Sequence, residues 1–153
     1  MTAPRGPDRL VSFDRTAQEA AAPPHDGPLP LALLALWHGD RVLMVFDRRR
    51  RSWELPGGMI EPHESPREAA VHELREEAGQ RPDGPVVFVG YARYALGAEQ
   101  RTEYGALFAG RCAAPRGFEP NEEIAEMRWW DLEEPLPGGV DPLDARLAGL
   151  TRP

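Results

Sequence analysis

The chain has 153 residues, which suits one domain, and its 41% apolar content is typical of a globular protein. A formal net charge of -7 argues against a surface that grips long nucleic acid through its phosphates, because such binding needs a basic face. Cys112 is the single cysteine, so the sequence excludes an intrachain disulfide and a paired-cysteine zinc site and favours a reducing compartment.

The N-terminal segment is rich in proline and alanine, a composition that resists regular structure. We predict an N-terminal arm over residues 1–28, with one strand at Leu10–Phe13, followed by a folded domain over residues 29–153. The N-terminus lacks a basic stretch followed by an apolar run, and no window approaches the roughly 18 apolar residues of a membrane span. We therefore expect no secretion, no membrane contact and a cytoplasmic location.

From residue 29 the pattern changes to strands and a helix. Leu31–Trp37 and Val42–Phe46 flank a polar turn, which predicts a β-hairpin, and Trp53–Leu55 predicts a further strand that runs into a glycine-containing loop.

The helix that follows is predicted over Pro66–Ala78 from its two ends. Ser65 and Glu68 form a capping box with proline at the first helical position, and Gly79 supplies the left-handed stop.

The second half of the chain contains further strand-like segments and one helix. The predicted strands are Val86–Val89, Tyr91–Leu96, Tyr104–Arg111 and Arg128–Trp130, and the predicted helix is Asp141–Gly149. Strands on both sides of a helix favour an α/β domain.

The Pro66–Ala78 helix carries two neighbouring faces. Its apolar face, expected to pack on the sheet, consists of Ala70, Val71, Leu74 and Ala78. The adjacent face holds Glu73, Glu76 and Glu77. Their mutual repulsion destabilises the helix by roughly a few tenths of a kcal/mol per pair unless cations are bound. Taken alone, these glutamates are explained more simply as a solvated helix face. Their context changes that interpretation.

The segment from Gly58 to Gly79 resembles the Nudix box, a long gapped motif of a glycine, a spaced glutamate and a closing run of glutamates and glycine. The matching positions are Gly58, Glu64, Glu73, Leu74, Glu76, Glu77 and Gly79. Trp53–Gly58 is similar to the lead-in of MutT-like members, and Glu126–Leu132 is similar to their late strand and turn. Two positions depart: His72 replaces an arginine thought to orient the neighbouring glutamate, and Gln80 replaces an aliphatic residue.

This resemblance implies an α/β Nudix fold, with a mixed β-sheet sandwiched between α-helices. It also implies Mg²⁺-dependent hydrolysis of phosphoanhydride bonds in nucleoside-diphosphate-linked compounds, with Mn²⁺ as an alternative ion. By position, Glu73 and Glu77 would be the principal metal ligands, joined by Glu76 and the Gly57 carbonyl, because Mg²⁺ prefers oxygen ligands. The supporting residues of the box would be Gly58, Glu64, His72 and Gly79.

The general base is left open between a box glutamate and an acid on a later loop. Glu73 is the first candidate and Glu76 the second, while Glu122 and Glu123 follow Pro120 in a loop that can close over the site. Solvated loop acids explain that last pair equally well. The expected catalytic residues are therefore Glu73, Glu76 and Glu123.

Two further groups have alternative interpretations. The basic run Arg48–Arg51 either guides phosphates inward or forms a solvated turn. The aromatic residues at strand positions either stack on a base or, more commonly, fill the core; they are Trp37, Trp53, Tyr91, Tyr94 and Phe108.

The competing function is a Nudix-fold module that binds or senses nucleotides with weak or no catalysis, suggested by His72. A neutral histidine supports the box only weakly, so activity would vary with pH. An interaction protein with an incidental acidic helix would bind no metal. The expected partner is a small nucleotide, for which the lead-in favours a nucleoside triphosphate; long nucleic acid and membranes are not expected, and a homodimer is an option that the resemblance offers.

Overall fold

A mixed sheet of eight strands forms the centre of the protein, and one helix packs on each of its faces. This computed structural model describes residues 8–15, 19 and 26–153. The elements are β1 (Arg9–Asp14), β2 (Leu31–His38), β3 (Arg41–Asp47), β4 (Ser52–Glu54), β5 (Gly57–Met59), α1 (Pro66–Ala78), β6 (Val87–Leu96), β7 (Arg101–Arg111), β8 (Ile124–Trp130) and α2 (Pro142–Leu150). The predicted α/β sandwich is confirmed.

The sheet is antiparallel except at its centre, where β2 runs parallel to β7. The main strand order is β1-β6-β7-β2-β3-β4, while β5 pairs with β2 and β8 pairs with β3. The strand predicted at Leu10–Phe13 is present as β1, which pairs with β6 at the sheet edge. Residues 1–7, 16–18 and 20–25 of the predicted arm lie outside the described residues, and the division of the chain after residue 28 stays a prediction.

Several strands differ from the prediction, and β7, for example, begins at Arg101 rather than Tyr104. The predicted strands Val86–Val89 and Tyr91–Leu96 form one strand, β6, which begins at Val87 and whose register shifts between Phe88 and Gly90. Strand β8 begins at Ile124 rather than Arg128 because its pairing with β3 continues to Asp47. Strand β5 was not predicted, since it has three residues and two of them are glycines.

The predicted hairpin forms, but its strands stay together only beside the turn. The register joins Trp37 to Val42 and His38 to Arg41. Beyond that point β2 pairs with β5, whereas β3 pairs with β4. The chain between β4 and β5 therefore bridges the two parted strands and delivers the glycine loop to the middle of the sheet.

Helix α1 begins and ends at the predicted residues. The Ser65 side chain accepts a hydrogen bond from the Glu68 N–H, and the Glu68 carboxylate accepts one from the Ser65 N–H. Gly79 ends the helix in the left-handed region, at φ 67°. The capping box and this stop fix the length of the helix and the rotation of its glutamates about the axis.

The core lies on both faces of the sheet. Helix α1 covers one face with Ala69, Ala70, Leu74 and Ala78, and α2 covers the other with Leu147 and Ala148. The predicted apolar face of α1 is confirmed, with Val71 half-buried and packed against the same cluster, and Ala69 belongs to it as well. The aromatic residues predicted for the core, Trp37, Trp53, Tyr91, Tyr94 and Phe108, are all buried. No helix among the described residues has both the length and the hydropathy to cross a bilayer; the cytoplasmic location stays a prediction.

Candidate active site

A cavity of about 480 Å³ opens between the glycine loop, helix α1 and the turn before β8. Its lining consists of Arg49, Arg50, Gly57, Gly58, Met59, Glu61, Glu73, Glu77 and Glu123. The fold thus brings together five of the expected metal-binding, catalytic and box residues, namely Gly57, Gly58, Glu73, Glu77 and Glu123, with Arg49 and Arg50 of the basic run. Glu76, with a side chain 64% exposed, is not among the lining residues.

Glu77 is the buried carboxylate of this cavity. Its Oε1 accepts a hydrogen bond from the Gly57 N–H at 3.0 Å. Burial raises the pKa of Glu77 to about 8; the Gly57 bond opposes this rise, and the charges of Glu73 and Glu123 add to it. A carboxylate held in such surroundings favours either a proton or a cation at its oxygens.

Glu73 lies one helical turn earlier, beside Gly58. A Cβ built on Gly58 would stand 2.7 Å from the carboxyl carbon of Glu73, so this position requires glycine for the carboxylate to stay where it is. Burial raises the pKa of Glu73, and the charge of Glu123 raises it further. Gly58 therefore acts by leaving space for a functional side chain.

Glu123 is directed to the cavity by a turn centred on Asn121. The Asn121 side-chain amide donates to the Glu77 carbonyl oxygen at 3.0 Å, and its Oδ1 accepts from the N–H groups of Glu123 and Ile124. The Arg48 N–H also donates to the Glu123 carbonyl at 2.8 Å. Asn121 thus fastens the acidic loop to the end of α1. Asn121 was not among the residues predicted for the site, although asparagine favours turns because its side chain accepts a hydrogen bond from the N–H two residues later.

The other loop acid has different surroundings. Glu122 lines a neighbouring cavity with Asp47, Arg48, Arg49, Arg50 and Glu123, whereas Glu123 lines both cavities. The structure therefore separates Glu123, which was expected to be catalytic, from Glu122.

His72 connects two of the box glutamates. Its Nε2 lies 3.1 Å from Glu76 Oε1, and its Nδ1 lies 3.4 Å from Glu64 Oε2. The hydrogen bond to Glu76 raises the pKa of His72, and Glu64 contributes in the same direction. Glu64 also accepts a hydrogen bond from the Glu61 N–H at 3.1 Å. Glu64 and His72 therefore brace the loop before α1 against the helix, while Glu73 is not among the hydrogen-bond partners of His72 in the described residues.

Gln80, the second departure from the motif, is fully buried and has a structural role. Its amide nitrogen donates to the Arg116 carbonyl at 2.8 Å, and its amide oxygen accepts from the Arg116 N–H at 2.8 Å. This pair of bonds resembles a strand contact and holds the loop after β7 to the end of α1. Glutamine replaces the family's aliphatic residue here because its amide pairs with both main-chain groups of Arg116 in that loop.

The basic run Arg48–Arg51 divides into side chains with separate roles. Arg50 forms ion pairs with Glu54 and Asp47, at 2.9 and 3.1 Å, and its side chain is largely buried. Arg48 Nε donates to the Asn121 carbonyl at 2.8 Å. Within the described part of the chain, Arg49 has no ion-pair partner, and the residue lines the cavity beside the glutamates. Arg51 occupies a positive φ of 54° in the turn.

A second pair of carboxylates lies beneath β4, away from the cavity. Asp144 Oδ2 accepts from the Leu55 N–H at 3.0 Å, and Asp141 caps α2. Burial raises the pKa of Asp141 to about 6, and burial together with the Asp141 charge raises that of Asp144 well above its usual range. Because the folded state holds these protons more tightly than the unfolded chain, the pair favours folding most below about pH 4, and this contribution is lost as pH rises through the folded-state pKa values.

The donor set of the cavity fits a hard divalent cation. Carboxylates of Glu73, Glu77 and Glu123 line one space, and oxygen ligands are those that Mg²⁺ prefers. In the residues that the structure describes, no three acidic, histidine or cysteine side chains are already grouped tightly enough to enclose an ion. The mutual repulsion of these carboxylates is the cost that a cation would offset.

Comparison with known proteins agrees with this geometry. Residues 28–149 match the model of the NUDIX domain family. The chain therefore belongs to the Nudix family, and the resemblance found in its sequence is confirmed. Members of this family generally use a divalent metal.

Individual relatives include a putative 8-oxo-dGTP diphosphatase of Bacillus subtilis (strain 168), 30% identical over 97 residues, or 63% of this chain. The match spans 62% of that relative's length. Among solved structures, a MutT NUDIX hydrolase from Burkholderia pseudomallei has a TM-score of 0.65 at 21% identity, over 82% of this chain and 97% of the other. An ADP-ribose pyrophosphatase from Streptococcus suis 89-1591 has a TM-score of 0.58 at 20% identity, over 82% and 89%. These structural likenesses establish the fold.

Proposed function

We propose that the protein is a Mg²⁺-dependent hydrolase that cuts a phosphoanhydride bond in a small nucleoside-diphosphate-linked substrate. A nucleoside triphosphate is the first candidate, and Mn²⁺ is expected to replace Mg²⁺. The observation that carries the proposal is one cavity lined by Glu73, Glu77 and Glu123 together with Arg49. Membership of the Nudix family and the name of the Bacillus subtilis relative support it.

We assign the metal to Glu73, Glu77 and Glu123, with the Gly57 carbonyl as a further oxygen ligand. When bound, the ion would neutralise the diphosphate and activate water for attack on phosphorus. Glu77 is the best-supported ligand, because it is buried and fixed by the Gly57 N–H. Glu76 is a weaker candidate, since it is exposed and engaged by His72.

The general base is assigned to Glu73. Glu73 lines the cavity, and Gly58 leaves room for its carboxylate beside the glycine loop. Glu123 and then Glu76 are the alternatives. Exchange of each glutamate for glutamine would rank them, because loss of the base lowers kcat more than it raises KM.

Arg49 is assigned to the substrate's phosphates. Its neighbours Arg50 and Arg48 are already engaged by Glu54 and Asn121, whereas Arg49 faces the cavity. An arginine there offers a planar fork that matches phosphate oxygens. We expect Arg49→Gln to raise KM for a triphosphate, while Arg51→Gln, a matched change in the same exposed turn, leaves KM near the wild-type value.

The test is release of phosphate or pyrophosphate from nucleoside triphosphates, nucleotide sugars, ADP-ribose and dinucleoside polyphosphates, with Mg²⁺ or Mn²⁺. We expect turnover that Glu77→Gln lowers by at least about a hundredfold. Glu119→Gln removes the same charge from an exposed loop position outside the cavity and is the matched control. Equal activity of the two variants would contradict the proposal.

The second candidate function is a nucleotide-binding or sensing module. The observation that favours it is His72, whose ring nitrogens face Glu64 and Glu76 instead of orienting Glu73. Tight nucleotide binding by calorimetry, with no turnover of any substrate with either metal from pH 6.5 to 9, would support this function and exclude the hydrolase.

A further inference from the structure

Met59 is a large apolar side chain that stands in the open at the edge of the carboxylate cavity. Its side chain is 61% exposed. The other large apolar residues found exposed in the described chain, Val11 and Val87, do not line this cavity. An exposed methionine leaves apolar surface in contact with water, and a ligand bound in this cavity would cover that surface.

The backbone holds Met59 in that direction. In β5 it pairs with Leu31 of β2, and the next residue, Ile60, donates its N–H to the Pro30 carbonyl at 2.8 Å. Ile60 packs against the core on the α1 face of the sheet, whereas Met59 and Glu61 line the cavity. These backbone bonds fix the main chain of Met59 at the cavity edge.

The rest of the cavity wall has a different chemistry. The other lining side chains are charged, namely Arg49, Arg50, Glu61, Glu73, Glu77 and Glu123, and the remaining two residues are glycines. Such a wall suits phosphates and a cation and gives no apolar contact. Met59 supplies that contact, with a flexible and polarisable side chain that adapts to planar groups.

We propose that Met59 packs against the apolar face of the substrate's nucleobase while the charged wall holds its phosphates. Met59 is then a specificity residue that favours nucleotides over substrates with a polyphosphate alone. The inference rests on the proposed function, since it assumes that the phosphates occupy the cavity.

The test is equilibrium binding, measured by calorimetry with Mg²⁺, of guanosine diphosphate and of pyrophosphate to the full chain. Met59→Gln keeps the length of the side chain and adds a polar amide, and Met59→Leu keeps its apolar character. We expect Met59→Gln to weaken nucleotide binding by about fourfold to fifteenfold, the effect of losing contact with one or two methylene-sized groups. Pyrophosphate binding should change less than about twofold, and Met59→Leu should bind both probes as the wild type does.

Val87→Gln is the matched control, because Val87 is 65% exposed and lies outside the cavity. The proposal is overturned if Met59→Gln weakens both probes equally, or neither. Binding of the nucleotide without hydrolysis, but with the expected loss in Met59→Gln, would refute the hydrolase and retain the role of Met59. Hydrolysis by the wild type, with unchanged nucleotide affinity in Met59→Gln, would retain the hydrolase and refute the role of Met59. Thermal unfolding of each variant checks that the fold is unchanged.

Discussion

Substitution of Gly58 by alanine is expected to lower activity while leaving the stability of the fold nearly unchanged. The new Cβ would stand 2.7 Å from the carboxyl carbon of Glu73 and 3.0 Å from each of its oxygens. An ordinary contact begins near 3.4 Å, so the carboxyl carbon has to retreat by about 0.7 Å. The carboxylate is the far end of a flexible side chain, and rotation about its own bonds accommodates the shift.

The displacement of the Glu73 carboxylate is therefore expected to lower the reaction rate. A misplacement of about 1 Å in a reacting group lowers rate by roughly a hundredfold, so a shift of this size is expected to lower kcat/KM by about 10- to 100-fold, or about 1.4–2.7 kcal/mol. The free energy of unfolding should change by no more than about 0.5 kcal/mol. The assays are product release under saturating Mg²⁺ and urea denaturation.

Two other glycines serve as controls. Gly84→Ala places its Cβ in open space and should leave kcat/KM and the free energy of unfolding unchanged. Gly57→Ala drives a Cβ to 2.6 Å from the Ala32 carbonyl oxygen, a backbone atom, and should destabilise the fold by about 1–3 kcal/mol. The reasoning is refuted if Gly58→Ala keeps wild-type activity, or if it loses as much stability as Gly57→Ala.

Three further predictions concern stability, each measured by urea denaturation. Ser65→Ala removes the helix cap and should cost about 1 kcal/mol; an unchanged midpoint would contradict the capping role. Gln80→Leu restores the family's aliphatic residue but leaves both main-chain groups of Arg116 unpaired, so it should destabilise by about 1–3 kcal/mol instead of stabilising. Asp144→Asn removes a buried acid, so unfolding free energy should fall less between pH 5 and pH 8 than in the wild type, by on the order of 1–3 kcal/mol. An equal dependence of unfolding free energy on pH in Asp144→Asn and the wild type would mean that Asp141 and Asp144 do not hold protons in the folded state.

Local signals made part of the fold readable from the sequence. Helix α1 has the predicted ends because Ser65 and Gly79 act on their own helix within a few residues. Strand β5 was missed because its pairing with β2 joins residues more than twenty positions apart and its composition, with Gly57 and Gly58, lacks strand character. The two pieces of β6 looked separate because Gly90 interrupts the alternation of apolar residues at a register shift.

The site shows the same division between local and distant information. The spacing of Glu73 and Glu77 on one helix was enough to predict a shared face. The sequence offered no physical reason for choosing Glu123 over Glu122, because the direction of that loop depends on Asn121, whose side chain donates to the Glu77 carbonyl 44 positions away. Met59 likewise gave no signal, since an apolar residue after two glycines fits a core as well as a surface.

The measurement that tests the central claim most directly is Mn²⁺ binding, followed by electron paramagnetic resonance, to the wild type, Glu77→Gln and Glu119→Gln. If the cavity carboxylates hold a divalent ion, Glu77→Gln should bind Mn²⁺ at least about tenfold more weakly, while Glu119→Gln binds it as the wild type does. Equal Mn²⁺ affinity in all three proteins would contradict the assignment of this cavity as the metal site.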